Sequence, residues 1–207
     1  MTNLLEGLSE APLPGLDRPL TGVELAMIDK YLTLLVKWQR SHRLIGSTNY
    51  AWMIENVIVD SLAFLSQVPQ QAHAVADVGS GAGIPGIPVA IVRPDLQITL
   101  IESRRRRVSF LLTVVRELGL SGVQVLAARV EDLVETHRDR FDVLLMRCAG
   151  PAGTILGPSL GVLRSGGVAV LAAKLGSPVP GSQTALVRLP GGRRRQFQCF
   201  TKPLLAP

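Results

Sequence analysis

The stretch ADVGSGAGIPG (76–86) follows a short apolar run and places four glycines within eight residues. Read from Gly81, it matches G-x-G-x-x-G, the spacing with which many α/β proteins bind a dinucleotide. Read from Asp77, it matches D-x-G-x-G-x-G, the spacing of loops that bind S-adenosylmethionine. Both patterns predict a glycine-rich turn between the first strand of an open α/β sheet and the helix that follows it.

After residue 73 the chain alternates short β-branched runs with helical stretches. This alternation predicts an α/β fold with a parallel sheet, because crossover helices cover both faces of such a sheet. The predicted strands are 74–78, 97–101, 123–127, 141–146 and 167–174, and the predicted helices are 85–92, 104–118, 130–138 and 152–164. Two further runs, 184–189 and 195–201, flank a Pro-Gly-Gly turn and predict an antiparallel pair at the sheet edge.

The first 70 residues predict a short helical extension. Residues 1–20 contain three prolines and are expected to form a loosely ordered lead-in. The segment TGVE (21–24) has the spacing of a capping box and predicts a helix from there to about residue 40, followed by a second helix over 49–67. The expected division is a helical extension, 1–70, and an α/β domain, 71–207.

Charge is distributed unevenly along the chain, whose net charge is +6. Residues 1–70 hold 5 Lys and Arg against 7 Asp and Glu, whereas residues 71–207 hold 17 against 9. The basic part is the part that carries the glycine loop, which favours a polyanionic partner, RNA before a membrane. A charge that serves only solubility is the alternative.

Cysteine content and hydropathy indicate a cytoplasmic protein. The two cysteines lie far apart and match no metal-ligand spacing, so neither a disulfide nor a metal site is expected. The first residues have acids where a signal peptide has basic residues, and apolar runs stay below the roughly 18 residues of a membrane helix.

Two prolines and an acid make the glycine loop a poor site for a pyrophosphate. Pro85 and Pro88 remove amide donors from the start of the following helix, where a phosphate would bind. Asp77 adds a negative charge at the end of the strand. S-adenosylmethionine has a cationic sulfonium and no phosphate, so the same loop suits it better.

Further residues of the predicted site fit that cofactor. Gly79, Gly81 and Gly83 allow its close approach to the backbone, and the Asp77 carboxylate attracts its positive end. Glu102 ends the next strand, where an acid accepts hydrogen bonds from ribose hydroxyls in either class of cofactor, so Glu102 does not discriminate between them.

Several segments together resemble the ribosomal RNA small subunit methyltransferase G family, which methylates N7 of a guanine in 16S rRNA with S-adenosylmethionine. The resemblance is most specific in GIPGIP followed by RP, within DVGSGAGIPGIPVAIVRPD (77–95), and continues in LIESRRRRVSFL (100–111). It extends to KWQR (37–40), ARVED (128–132), MRCA (146–149) and AAKLG (172–176). It implies a Rossmann-like class I methyltransferase fold with a helical N-terminal extension.

The resemblance also implies site residues. Cofactor contacts of the family match Gly79, Ile84, Val130, Glu131 and Arg147. The chain departs from the family pattern at four positions. They are Arg43 in place of asparagine, Val57 in place of histidine, Cys148 after the matched arginine, and Gln196 in place of histidine.

Methylation of guanine N7 needs alignment of a ring lone pair more than a general base. Arg147 and Lys174 end the fourth and fifth predicted strands and are the candidates for orienting the cofactor or the target; ordinary rim cations are the alternative. Cys148 could act as a nucleophile, but a free cysteine beside Ala149-Gly150 is more often a small buried side chain.

Two arginine runs are candidate contacts to 16S rRNA or the small ribosomal subunit. Arg104, Arg105, Arg106 and Arg107 open a predicted helix, where the helix dipole disfavours cations, and Arg193, Arg194 and Arg195 precede the last strand. Simple solvation is the alternative for both runs. A monomer is expected.

Three other functions remain open at this stage. They are an RNA methyltransferase with another target, a nicotinamide-dependent oxidoreductase, and a cofactor-binding RNA module without catalysis. Cofactor binding separates the second from a methyltransferase, and methyl transfer to ribosomal subunits separates the third.

Overall fold

A seven-stranded mixed sheet organises the described part of the chain. The computed structural model describes Leu5 and residues 7–10, 12–147, 152–173 and 180–204, with the backbone alone for 152–155 and Ala173. The strands are β1 (Ala74–Val78), β2 (Gln97–Ile101), β3 (Val123–Leu126), β4 (Phe141–Met146), β5 (Leu163–Ala173), β6 (Gln183–Arg188) and β7 (Arg194–Thr201). Their order in the sheet is β3-β2-β1-β4-β5-β7-β6.

Strands β1 to β5 are parallel, and β7 pairs antiparallel with both β5 and β6. The strand order reverses between β1 and β4, so the crevice above their carboxyl ends is where an open α/β sheet binds ligands. The predicted mostly parallel sheet with an antiparallel edge pair is confirmed.

Six α-helical segments accompany the sheet in the described residues. They are α1 (Gly22–His42), α2 (Tyr50–Met53), α3 (Asp60–Leu62), α4 (Gly86–Val92), α5 (Arg105–Leu118) and α6 (Ala152–Ser159). A π-helical stretch, Ile54–Val59, joins α2 to α3, and a 3-10 turn, Ala63–Gln67, follows α3. The predicted helix over 49–67 is therefore one helical rod that changes its winding twice.

Two predicted helices are shorter in the structure. In place of a helix over 130–138 there is a 3-10 turn, Val130–Leu133, followed by turns that end at Asp139, whose φ is 51°. The other, α6, ends at Ser159 because the chain must pass close to Val134: a Cβ at Gly161 would lie 2.7 Å from a methyl carbon of that residue. Both predictions overextended a helix into a close turn.

β5 begins four residues before its predicted start. Leu163 already pairs with Phe141, and the register shifts before Val168 pairs with Val143. Gly167 lies at the irregularity, where a Cβ would stand 2.9 Å from the carbonyl oxygen of Asp142. The two glycines of this bulge interrupt the β-branched pattern, which is why the sequence prediction started only after them.

The lead-in packs on the core, contrary to the loose order expected for it. Leu8, Leu13 and Leu20 are buried in the same hydrophobic cluster as the central strands. A Cβ on Gly15 would lie 2.1 Å from the amide nitrogen of Ser66, so this turn fits directly against the 3-10 turn after α3. The division of the chain near residue 70 remains a prediction, since helices and sheet share this cluster.

The predicted capping box begins α1. The Thr21 hydroxyl accepts a hydrogen bond from Glu24 N at 3.3 Å, and the Glu24 carboxylate accepts one from Thr21 N at 2.7 Å. Two guanidinium nitrogens of Arg18 donate to the same carboxylate at 2.6 and 2.9 Å. The acid at the helix start is therefore buried with every charge and donor around it matched.

Replacing Thr21 with alanine is expected to lower the free energy of unfolding by about 1 kcal/mol, because one free amide at the start of α1 loses its acceptor. Urea unfolding measures the change. Thr33→Ala, an exposed position within the same helix, is the control and is expected to leave stability unchanged or slightly raised. Equal losses in both variants would contradict a capping role.

Candidate functional site

The glycine loop is held against the end of the neighbouring strand. Gly79 N and Ser80 N donate to the carbonyl oxygen of Ile101 at 2.9 and 3.0 Å, and Gly81 N donates to Glu102 Oε2 at 2.9 Å. The predicted loop and the predicted ribose-binding acid are therefore joined directly. They lie at the carboxyl edge of the sheet, beside the reversal of strand order.

The glycines of this loop serve different purposes. A Cβ at Gly79 would meet no protein atom within 4 Å, and one at Gly81 would first meet Arg107 Nη1 at 3.5 Å. In contrast, a Cβ at Gly83 would lie 2.5 Å from Ile87, and one at Gly86 would lie 2.4 Å from Leu100. The first two glycines leave open space for a ligand, and the last two allow close packing of α4.

Asp77 lies fully buried beneath the loop. Its Oδ2 accepts a hydrogen bond from Gly86 N at 2.9 Å, whereas its Oδ1 has no hydrogen-bond partner in the described part of the chain. Burial raises the pKa of Asp77 to about 7, against the lowering effect of the Gly86 amide. A cation brought near this carboxylate would favour its charged form.

Glu102 is almost fully buried and already accepts backbone hydrogen bonds. One oxygen receives Gly81 N, the other receives Arg104 N at 2.8 Å, and Arg107 Nη1 lies 3.7 Å from the first. The carboxylate thus shapes the loop and offers its remaining lone pairs toward it. Arg107, predicted to contact RNA, instead stands beside the loop.

Tyr31 is a site residue that the sequence analysis missed. Its hydroxyl donates to the carbonyl oxygen of Ala82 in the loop at 2.7 Å, and the side chain is fully buried. Burial raises the pKa of Tyr31, so the hydroxyl keeps its proton. The helical spacing from Ile28 to Leu35 includes this position and signals its burial, but not its partner.

The cluster of Arg147, Asp60 and Arg195 forms the second half of the site. Asp60 is buried in α3, and its Oδ2 accepts a hydrogen bond from Arg147 Nε at 3.0 Å. Arg195 Nε lies 3.3 Å from Asp60 Oδ1, an ion-pair distance without hydrogen-bond geometry. Arg147 Nη2 also donates to the carbonyl oxygen of Asn56 at 2.7 Å, within the π-helical stretch.

The arginines of this cluster come from distant parts of the chain. Arg147 follows β4, and Arg195 begins β7, whose antiparallel direction places its first residues at the carboxyl edge of β5. Nearby, Arg193 contacts Glu55 and Asn56 at 3.3 Å. Burial lowers the pKa of Arg195 below the usual value, with Asp60 acting in the opposite direction.

The remaining predicted site residues lie around this edge or outside the described residues. Ile84 is buried in the loop, Val130 is buried in the 3-10 turn after β3, and Glu131 is exposed beside it. Cys148 and Lys174 lie outside the described residues. Val57, a departure from the family pattern, is fully buried in the π-helical stretch.

Two searches of the described residues bear on the expected partners. None of their helices is both long and apolar enough to cross a membrane. No group of three or more His, Cys, Asp or Glu side chains among them stands close enough to hold a metal ion.

The family model described as rRNA small subunit methyltransferase G matches residues 24–175. The chain belongs to this family. A relative with that name from Trichormus variabilis is 32% identical, over 99% of this chain and 87% of its own. One from Halorhodospira halophila is 36% identical, over 80% and 76%.

The fold is that of known methyltransferases. A crystal structure of a methyltransferase from Geobacter sulfurreducens superimposes with a TM-score of 0.56 at 14% identity, covering 97% of this chain and 94% of that one. The predicted Rossmann-like class I methyltransferase fold is confirmed. Family membership confirms an S-adenosylmethionine-dependent methyltransferase and removes the nicotinamide-dependent oxidoreductase.

The buried Asp77 predicts a pH dependence of the cofactor-free protein. Because its pKa is about 7 when folded and near 3.8 ordinarily, the folded state holds the proton more tightly. The free energy of unfolding therefore falls as pH rises from about 4 to about 7. Asp77→Asn is expected to abolish that fall, as measured by urea unfolding across this range.

The same variant separates stability from cofactor binding. S-adenosylmethionine affinity, measured by calorimetry, is expected to rise with pH through about 7 in the native protein and to be weaker and flat in Asp77→Asn. Asp132→Asn, at an exposed position, is the control. An unchanged pH profile in Asp77→Asn would remove Asp77 from the cofactor site.

Proposed function

We propose that this protein transfers the methyl group of S-adenosylmethionine to N7 of a guanine in 16S rRNA. The observation that carries the proposal is the shared position of the glycine loop and the Arg147, Asp60 and Arg195 cluster at the carboxyl edge of the sheet, in a chain of this family. A small ribosomal subunit is the proposed particle, which places the reaction in the cytoplasm.

The glycine loop supports the cofactor half of the proposal. Gly79 and Gly81 have open space above them, Glu102 is placed to accept from the ribose hydroxyls, and Asp77 supplies negative charge below. When bound, S-adenosylmethionine supplies an electrophilic methyl group on a positively charged sulfur. We assign Gly83, Ile84, Val130 and Glu131 to the same site on the strength of the family pattern.

The arginine cluster supports the target half. Arg147 Nη1 and both terminal nitrogens of Arg195 make no hydrogen bond or ion pair to the described residues, so these donors are available. Arginine donors pair with guanine O6, which lies next to N7. Holding O6 and a neighbouring phosphate orients the base and leaves the N7 lone pair free, as the reaction requires. Lys174 is the second proposed orienting residue.

The two arginine runs differ in how much of their charge is free. Arg104, Arg105 and Arg106 are exposed and have no ion pair with a described carboxylate. Arg107 faces Glu102, Arg193 faces Glu55, and Arg195 faces Asp60. We therefore propose Arg104 to Arg106 as the phosphate contacts of the first run, and Arg194 with the outer nitrogens of its neighbours as those of the second. The expected monomer remains a prediction.

Methyl transfer to small subunits from a bacterial strain that lacks its own enzyme of this family tests the proposal. We expect one 7-methylguanosine per subunit with S-adenosylmethionine as donor, identified by nucleoside mapping of the 16S rRNA. Protein-free 16S rRNA in parallel shows whether the particle is required. Methylation at another atom would overturn the target, and the absence of any transfer would leave an RNA-binding module.

Asp60 is proposed as a positioning residue for both arginines. Asp60→Asn removes the charge that they share, and we expect kcat to fall by about 10- to 100-fold from misplaced donors. Cofactor affinity, measured by calorimetry, is expected to change less than about threefold, because Glu102 and the glycine loop are untouched.

Glu55→Gln is the matched control for Asp60→Asn, because Glu55 is an exposed acid that pairs only with Arg193. A melting curve accompanies each variant, since removing one partner of a buried ion pair also costs stability. If the Asp60 variant melts lower yet retains its kcat, the carboxylate supports the fold and not the orientation of the arginines.

A further inference from the structure

The last turn of α1 brings a second group of cations next to the arginines of α5. The two helices run antiparallel: the rings of Trp38 and Phe110 are 5.7 Å apart, and Lys30 Nζ lies 3.7 Å from Glu117 Oε2 at the other end. The carboxyl end of α1 therefore lies beside the amino end of α5. Lys37, Arg40 and Arg43 are exposed there.

These cations are not neutralised within the protein. Lys37, Arg40 and Arg43 have no ion pair with any carboxylate of the described chain, and neither do Arg104, Arg105 and Arg106. By contrast, exposed cations elsewhere do pair, as Arg93 does with Asp95 and Arg138 with Glu135. Six like charges at one end of a helix pair repel one another, so a polyanion would stabilise them.

Arg43 adds an independent observation. It ends α1 with φ 47° and ψ 59°, in the left-handed region that favours glycine or asparagine and costs other residues energy. The turn does not depend on its side chain, because Gln39 Oε1 accepts Leu44 N and Ile45 N at 2.6 and 2.9 Å. A strained position that keeps an exposed arginine indicates a use for that arginine outside the fold.

The same region adjoins the cofactor loop. Arg107, in the first turn of α5, lies over Gly81, and Tyr31 of α1 holds the carbonyl of Ala82. A nucleic acid whose base enters the site would therefore have backbone phosphates near these helix ends. This proximity selects the chemistry of the partner: a polyanion that also presents a base to the loop is RNA, whereas a lipid surface presents no base.

We propose that Lys37, Arg40 and Arg43, together with Arg104, Arg105 and Arg106, form one phosphate-binding surface for the RNA that flanks the target. We call it the α1–α5 basic surface. It rests on the proposed function for the identity of the RNA. The contribution of α1 is the new element, since α1 lies in the part of the chain whose net charge is negative.

The test reverses the charges of the α1 part alone. The variant Lys37→Glu/Arg40→Glu/Arg43→Glu is compared with Arg116→Glu/Arg138→Glu/Arg188→Glu, which changes the net charge equally at exposed positions outside the surface. Subunit binding is measured as a function of salt. Each lost phosphate contact lowers the slope of log K against log salt by about 0.7 to 0.9, so we expect a loss of about 2 in the first variant.

Activity gives a second readout. We expect the KM for subunits to rise at least about tenfold in the first variant, with kcat at saturation and S-adenosylmethionine affinity unchanged, because the surface binds phosphates and not the reacting groups. The control variant should keep both the slope and the KM of the native protein. Equal behaviour of the two variants, or binding of the native protein to anionic vesicles in preference to subunits, would overturn the proposal.

Arg43→Asn separates a binding role from a folding role. Asparagine relieves the left-handed strain, so the melting temperature should rise by a few degrees while the salt slope falls by about 1. A higher melting temperature with an unchanged slope would remove Arg43 from the surface. A native protein that binds subunits without methylating them would overturn the proposed function alone, because the salt slopes would still test the surface.

Discussion

The hydrogen bond from Gly86 N to Asp77 Oδ2 sets the shape of the cofactor loop. It closes nine residues of chain between the end of β1 and the start of α4, inside the protein and away from water. It is short because Gly86 has no Cβ, which would otherwise lie 2.7 Å from the same carboxylate oxygen. The open space above Gly79 and Gly81, and hence the room for a ligand, follows from this buried contact.

The rest of the site is brought to that loop by elements far apart in the chain. Tyr31 approaches from α1, Asp60 from the helical rod after it, and Arg195 from the antiparallel strand β7. The π-helical stretch before Asp60 has a wider turn than an α-helix, and such stretches often occur at functional sites. Here its Asn56 carbonyl holds Arg147, so the irregular winding contacts the site directly.

Local patterns were enough to predict the sheet, the glycine loop and the capping box. Each depends on residues close together in sequence: β-branched runs between helices, glycines at fixed spacing, and Thr21 with Glu24. The overextended helix at 130–138 failed because helical periodicity alone does not show where a close turn begins. The lead-in was misjudged because its leucines are buried only by contacts with residues about fifty positions away.

The pairing of distant charges could not be predicted in the same way. Arg104 to Arg107 look alike in sequence, yet Arg107 faces Glu102 while the other three are exposed. Arg195 was grouped with its neighbours as a phosphate contact, but it shares Asp60 with Arg147, from which it is 48 positions distant in the printed numbering. Only the fold brings these three side chains together.

The unpaired Oδ1 of Asp77 has a consequence for turnover. In the proposed complex, the positive sulfonium offsets the burial of this carboxylate. Once the methyl group has left, the sulfur of the product is neutral, and that offset is lost. The carboxylate therefore holds the spent cofactor less tightly than the fresh one, which favours product release and allows exchange in a mixture of the two.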